Sequence, residues 1–157
     1  MTNKYINFYN NLVKLARNKN LYRDFTSQDT FVDRLILLLF HFAFFLNIFK
    51  SNNNKKTLQE TFDFFFKQIE LNLREMGYGD PTVNKRMKSY INIFYSILSE
   101  IDDWDKINKI QKNQIISKYI KINKKTLIFS DYFNNYRDYL KNNTLNSLLK
   151  GVIKPNF

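Results

Sequence analysis

The stretch Leu73-Arg74-Glu75-Met76-Gly77-Tyr78-Gly79-Asp80-Pro81-Thr82-Val83-Asn84-Lys85-Arg86-Met87-Lys88 decides how the chain is read. It holds two of the three glycines and one of the two prolines. An amphipathic pattern runs into it and another runs out. Gly77 can take the left-handed conformation that closes a helix. Asp80 is placed to cap the next helix, with Pro81 at the first helical position, where a missing N–H costs nothing. So short a link predicts two helices folded back against each other.

The incoming helix, residues 58–76, carries a stripe of Leu58, Phe62, Phe65, Phe66, Ile69, Leu73 and Met76. Thr57-Leu58-Gln59-Glu60 reads as its capping box. Asp63 with Lys67 and Glu70 with Arg74 are acid-first pairs at i,i+4. The outgoing helix, residues 81–101, has Val83, Met87, Tyr90, Ile91, Phe94, Ile97, Leu98 and Ile101 on its stripe. Lys85, Arg86 and Lys88 lie off that stripe in the first turns, where cations oppose the helix macrodipole. Residues that break a local rule point to work elsewhere.

Upstream, Tyr5, Phe8, Tyr9, Leu12, Val13 and Ala16 recur at helical spacing and predict a helix over 4–18. Leu21 to Phe25 reads as a short aromatic turn. Asp29 is placed to cap a helix over 30–49 that is apolar nearly all round after Arg34, which puts it in the middle of a bundle. Its run Leu35–Phe49 would reach roughly 22 Å as a helix, short of a hydrocarbon layer of about 30 Å. His41 and Asn47 interrupt the run, so a core helix is the expectation and a peripheral membrane contact the lesser one. Ser51 to Lys56 reads as an exposed loop.

Downstream, Asp102-Asp103-Trp104-Asp105 punctuates the chain. A weaker helix to about residue 121, a basic loop Lys121–Lys125, a helix over 130–142 and a short helix Thr144–Lys150 closed by Gly151 follow, with an extended tail. No strand alternation or internal repeat is seen. The expectation is all-α: one domain over residues 1–157, a compact bundle of about six or seven helices around a central apolar helix. The 30–49 helix should pack against the two helices joined at Gly77–Pro81.

Net charge is +11, with 19 of the 25 basic residues lysine. Such charge suits an acidic partner such as nucleic acid, ribosome or anionic lipid. A solvated lysine-rich surface accounts for it as well. With no cysteine, disulfides and thiolate metal sites are excluded. Met1 to Asn10 has neither the apolar run of a secretory signal nor an Arg-rich transit pattern.

Candidate chemistry is sparse. His41 is the one histidine, and nothing in the sequence sets a nucleophile or carboxylate beside it, so it reads as a buried, hydrogen-bonded polar residue. Asp102, Asp103 and Asp105 lack the ligand spacing and glycine of a calcium loop and read as helix caps. Gly77-Tyr78-Gly79 has no preceding strand and no Gly-Lys-Ser/Thr, so it is not a phosphate loop. Glu70, Glu75 and Asp80 form no defined acid/base pair. No catalytic residue, metal or cofactor is expected, and the chain does not read as an enzyme. Lys85, Arg86 and Lys88, with Arg74 across the turn and Tyr78 at the edge, form a candidate basic patch for an acidic surface such as ribosomal RNA or lipid head groups. Some of the 16 Phe and 10 Tyr can line a groove for an apolar client.

Leu73-Arg74-Glu75-Met76-Gly77-x-Gly79-Asp80, then Val83-x-Lys85-Arg86-Met87-Lys88 and Phe94-Tyr95, resembles the signature of the ubiquinol–cytochrome c chaperone family. Tyr22, Asp29-Thr30, Arg34, His41, Phe62-Asp63 and Phe65-Phe66 fall in the order and at about the spacing of that family. The resemblance covers Leu21 to Tyr95 well and the C-terminal third weakly. Two departures stand out: Asp33 where the family shows glycine, and Ser96-Ile97 where it often shows Gly-Arg.

The resemblance implies a non-enzymatic, all-helical assembly factor. Its client would be newly made cytochrome b during biogenesis of the ubiquinol–cytochrome c reductase, held without ATP. Mitochondrial relatives act near the ribosomal tunnel exit with a second assembly subunit. On that reading Glu75, Gly77, Tyr78, Gly79 and Asp80 shape the turn, and Arg74, Lys85, Arg86 and Lys88 dock client, ribosome or an anionic membrane surface. Lacking a transit pattern, the chain resembles the shorter bacterial form, expected in the cytoplasm or peripherally at the inner membrane. The alternative is a helical RNA- or ribosome-binding module with no cytochrome b client.

Overall fold

In the computed structural model, residues 2–18, 21, 31–121 and 128–153 are described here. Among them every regular element is helical: α1 (Thr2–Ala16), α2 (Phe31–Phe49), α3 (Lys55–Glu75), α4 (Asp80–Glu100), α5 (Lys109–Ser117), α6 (Ile128–Lys141) and α7 (Leu145–Lys150). Two short 3-10 turns, Asn52–Asn54 and Ile101–Lys106, join α2 to α3 and follow α4. The Leu21–Phe25 turn beyond Leu21, the Asp29 cap, residues 122–125 of the basic loop and the tail after Ile153 lie outside the described residues.

The apolar run after Arg34 dictates the architecture. Twelve of the 19 residues of α2 are buried. A helix that is apolar on all sides needs neighbours on all sides. α2 alone is long and apolar enough to cross a membrane among the described residues, yet here other helices cover it. α1 and α4 pack most closely on it, and α6 closes a third side. α3 reaches it through long side chains: the Phe65 ring stacks on Phe42 with centroids 4.0 Å apart. Phe42 also stacks on Phe94 of α4 at 5.4 Å, Phe8 of α1 meets Phe45 at 4.3 Å, and Phe44 lies 5.1 Å from Phe133 of α6. The sequence places α2 in the middle of a bundle against the two helices of the hairpin, and the structure adds the remaining neighbours. Two helices cannot surround a third, so α1 and α6 complete the shell.

Local departures from the sequence reading have local causes. α3 starts at Lys55, because the Asn52–Asn54 turn runs straight into it. Thr57 is therefore already helical and makes no capping box. Its carbonyl accepts the Thr61 hydroxyl at 2.7 Å, and Glu60 accepts from Tyr5 Oη of α1 at 2.5 Å. Lys67 turns to Glu70 at 3.1 Å rather than to Asp63, while the Glu70–Arg74 pair forms at 3.3 Å.

The aspartates around Trp104 are not helix caps. Trp104 is fully buried and holds Asp102 and Asp105 on either side of it. Arg137 of α6 donates to Asp105 through Nε at 3.1 Å and Nη2 at 3.0 Å, and through Nη1 to Asn47 Oδ1 of α2 at 2.7 Å. Asn47 in turn donates to Asp102 at 3.1 Å, and Lys141 adds a second cation to Asp105. A nearly buried guanidinium is tolerated only with its donors matched, and this network ties α2, the 3-10 turn and α6 together. The chain ends are joined in a similar way. Asn7 and Asn11 of α1 donate to the Gly151 carbonyl at 2.9 and 3.0 Å, beyond the end of α7. A Cβ at Gly151 would lie 2.7 Å from the Ser147 carbonyl oxygen.

His41 is fully buried on α2. Nδ1 lies 2.6 Å from the Leu37 carbonyl, which can only accept. The proton is therefore on Nδ1, and Nε2 accepts from Tyr132 Oη at 2.6 Å. The rings of Tyr132, Phe133 and Tyr136 enclose it edge-on. Burial, only partly opposed by the Leu37 carbonyl, pushes its pKa from 6.5 down to about 4. The unfolded chain thus binds a proton between about pH 6.5 and 4 that the folded chain refuses, so stability is full above that window and declines as pH falls through it. We expect urea-unfolding free energy to drop by about 3 kcal/mol from pH 7 to 4 on account of His41. In His41→Leu that slope should vanish, leaving the acid loss at lower pH of the Asp102, Asp105 and Glu70 carboxylates, which their cations hold below the usual range.

Candidate functional site

The turn between α3 and α4 is built by one glycine. Gly77 has φ 96°. Its N–H donates to the Arg74 carbonyl at 3.0 Å, and the Tyr78 N–H reaches the Leu73 carbonyl at 3.3 Å. This double closure is the Schellman arrangement, which needs the left-handed residue that glycine supplies. Gly79 is extended, at φ −77°, ψ 168°, and is itself the N-cap of α4. Asp80 is not the cap the sequence suggested. It is the first helical residue, with Pro81 behind it, and its carboxylate reaches back to the Arg74 guanidinium. A carboxylate in the first turn still complements the helix dipole. Glu75 is exposed on the last turn of α3.

The four candidate cations separate into two kinds. Arg74 sits between Asp80 and Glu70, and its two partners balance it; Lys67 and then Arg74 hold the Glu70 carboxyl below its usual range. Arg86 lays its guanidinium 4.3 Å over the Tyr78 ring and donates to Tyr90 Oη at 3.4 Å. Both arginines therefore brace the turn. Lys85 and Lys88 are exposed and make no ion pair among the described residues, so the free positive charge at this end belongs to them.

The sequence stripes hid a second feature. Leu58 and Phe62 of α3 and Met87, Ile91 and Leu98 of α4 are only half-buried, and Tyr95 is 53% exposed. Together they form an apolar furrow along the outer face of the helical hairpin, reaching the last turn of α2 at one end. One depression of about 630 Å³ is lined by Leu46, Leu58, Phe62, Tyr95 and Leu98, with Lys50, Lys55 and Asp102 around it. A second, of about 480 Å³, is lined by Phe62, Phe66, Met87 and Ile91, with Lys67 and Lys88 around it. They meet at Phe62. The one available signal was width: α4 carries apolar residues on an arc broader than a single neighbour can cover.

A family model described as Ubiquinol-cytochrome C chaperone matches residues 23–106. The chain belongs to the ubiquinol-cytochrome C chaperone family. The matched span runs through α2, α3, α4 and the Trp104 turn, so the furrow and the basic turn both lie within it. The fold has a solved counterpart, the crystal structure of the Cbp3 homolog from Brucella abortus, with TM-score 0.76 and 24% identity over 98% of this chain and 90% of that one. No curated protein matches the chain. Membership of a chaperone family gives the protein a chaperone role and agrees with a His41 that is sealed in the core rather than set in a cleft.

The two glycines of the turn have different duties. Gly77→Ala should cost about 1–2 kcal/mol by urea unfolding, because φ is positive there. Gly79→Ala has negative φ and open space around the added Cβ and should change stability by less than about 1 kcal/mol.

Proposed function

We propose that the protein is an assembly chaperone that holds newly made cytochrome b for biogenesis of the ubiquinol–cytochrome c reductase, without ATP. The observation that carries this reading is the apolar furrow on α3 and α4, inside the family-matched span. Monomeric proteins rarely leave a contiguous apolar strip uncovered unless something binds it, and a membrane-protein client must have its apolar segments covered until lipid does so.

In this proposal Lys85 and Lys88 face an acidic surface where cytochrome b emerges, ribosomal or lipid, and the protein works in the cytoplasm and peripherally at the inner membrane. A second assembly subunit is compatible with the surface left free. Binding a hydrophobic segment through pre-formed apolar side chains needs no conformational fuel, and release can follow from competition by the bilayer.

Tagged protein, recovered in mild detergent from a bacterium that assembles the reductase, should enrich cytochrome b, and Tyr95→Asp should cut that enrichment severalfold. Lys85→Glu with Lys88→Glu should weaken co-sedimentation with ribosomes or anionic vesicles while the thermal midpoint stays within about 2 °C of wild type. Arg86 is kept because it braces the turn. Recovery of RNA alone, with normal cytochrome b in cells lacking the protein, would overturn the client assignment in favour of an RNA-binding module.

A further inference from the structure

The furrow has a definite length and a definite charge at each end. From Met87 to Leu98 it follows α4 for about 17 Å, roughly three helical turns. That is about half the thickness of a bilayer's hydrocarbon layer, so it accommodates a short helix and not a whole membrane span. At the Leu98 end Lys50 is paired with Asp102 at 2.5 Å, and along the furrow Lys67 is paired with Glu70 at 3.1 Å. Asp63 accepts from Gln59 midway along.

The ends are different. α3 and α4 are antiparallel, so Lys55 marks one end of the furrow and Lys88 the other. Neither makes an ion pair among the described residues. Lys55 opens α3, which has no acidic residue in its first turn and no side-chain cap on Asn54; a cation there adds to the positive end of the helix dipole instead of offsetting it. Lys85 stands one turn from Lys88. An anion at either end would relieve a local electrostatic cost. A cation would raise it.

We propose that the furrow selects an apolar helix of about three turns flanked by acidic side chains, and rejects the same helix flanked by lysine or arginine. The proposal rests on the chaperone reading for its biological client, but its physics is separate. Cytoplasmic flanks of membrane helices are enriched in Lys and Arg, so the basic ends would turn away most such segments and admit the minority with acidic flanks. Attraction through the ends is screened by salt, whereas the apolar contact is not.

The test is fluorescence anisotropy with the full-length protein and two labelled synthetic peptides. Both share one Leu/Ala-rich core of three helical turns; one has two glutamates at each end, the other two lysines. We expect the glutamate peptide to bind about tenfold more tightly at low salt. The difference should shrink to less than about twofold at 0.5 M salt. Lys55→Glu with Lys88→Glu should invert the preference, and the exposed-site change Tyr95→Asp should weaken both peptides. Equal affinities, a preference unchanged by the double reversal, or no binding of either peptide would overturn the proposal. If cytochrome b is captured in cells while the peptides show no charge preference, the selectivity fails and the chaperone reading stands. If the preference is found and cytochrome b is not captured, the reverse holds.

Discussion

The structure depends on the need to enclose α2. A helix with Leu, Ile and Phe around its whole circumference cannot leave a face to water, so four other elements are drawn onto it. The aromatic contacts show how they are held. Phe42 alone meets Phe65 and Phe94 from two helices, and Phe44 meets both Trp104 and Phe133. Each such pair adds about 0.5–1.5 kcal/mol beyond its area burial. The two buried polar residues of α2 are made safe by partners from far along the chain: His41 by Tyr132, and Asn47 by Arg137 and Asp102. Those hydrogen bonds also fix the rotation of α2, because turning it would leave buried donors and acceptors unmatched.

Once α2 is enclosed, the hairpin of α3 and α4 is constrained on one side only. Phe65, Phe66, Ile69, Leu73, Val83, Phe94 and Ile97 are buried in the core. The remaining apolar residues are only partly covered among the described residues. The furrow is thus a by-product of the same geometry: two helices wide enough to shield α2 also present an outer apolar seam. The Gly77 turn and its brace of Arg74, Asp80, Tyr78 and Arg86 tie the two helices together at one end of the seam. That tie matters to a binding face, because a pre-formed site does not lose affinity to ordering its own side chains.

The tight turn likewise explains why its charged residues are not interchangeable. Arg74 and Arg86 have their guanidinium groups committed to carboxylates, a ring face and a phenol. Lys85 and Lys88 are exposed and make no ion pair among the described residues. Arginine suits planar and paired environments, and lysine suits a hydrated point charge. The residue types already encoded that division, although the sequence reading placed all four in one patch.

The sequence by itself determined the helical class, the hairpin at Gly77, the central place of α2 and the buried state of His41. These follow from local periodicity, from one glycine's access to positive φ and from hydrophobicity without a polar face, all of which are properties of neighbouring residues. It also carried the family resemblance. The tertiary structure decided what depends on distant partners. Thr57 lost its capping role because the preceding turn was already helical. Asp80 turned back to Arg74, and Asp102 and Asp105 became the anchors of α2 and α6 rather than caps, because Asn47, Arg137 and Lys141 arrive there only in the fold. Leu58, Phe62, Met87, Ile91 and Leu98 lie on the same stripes as true core residues. Which of them stay half-exposed is set by where the neighbouring helices end, and no periodicity within a single helix contains that information.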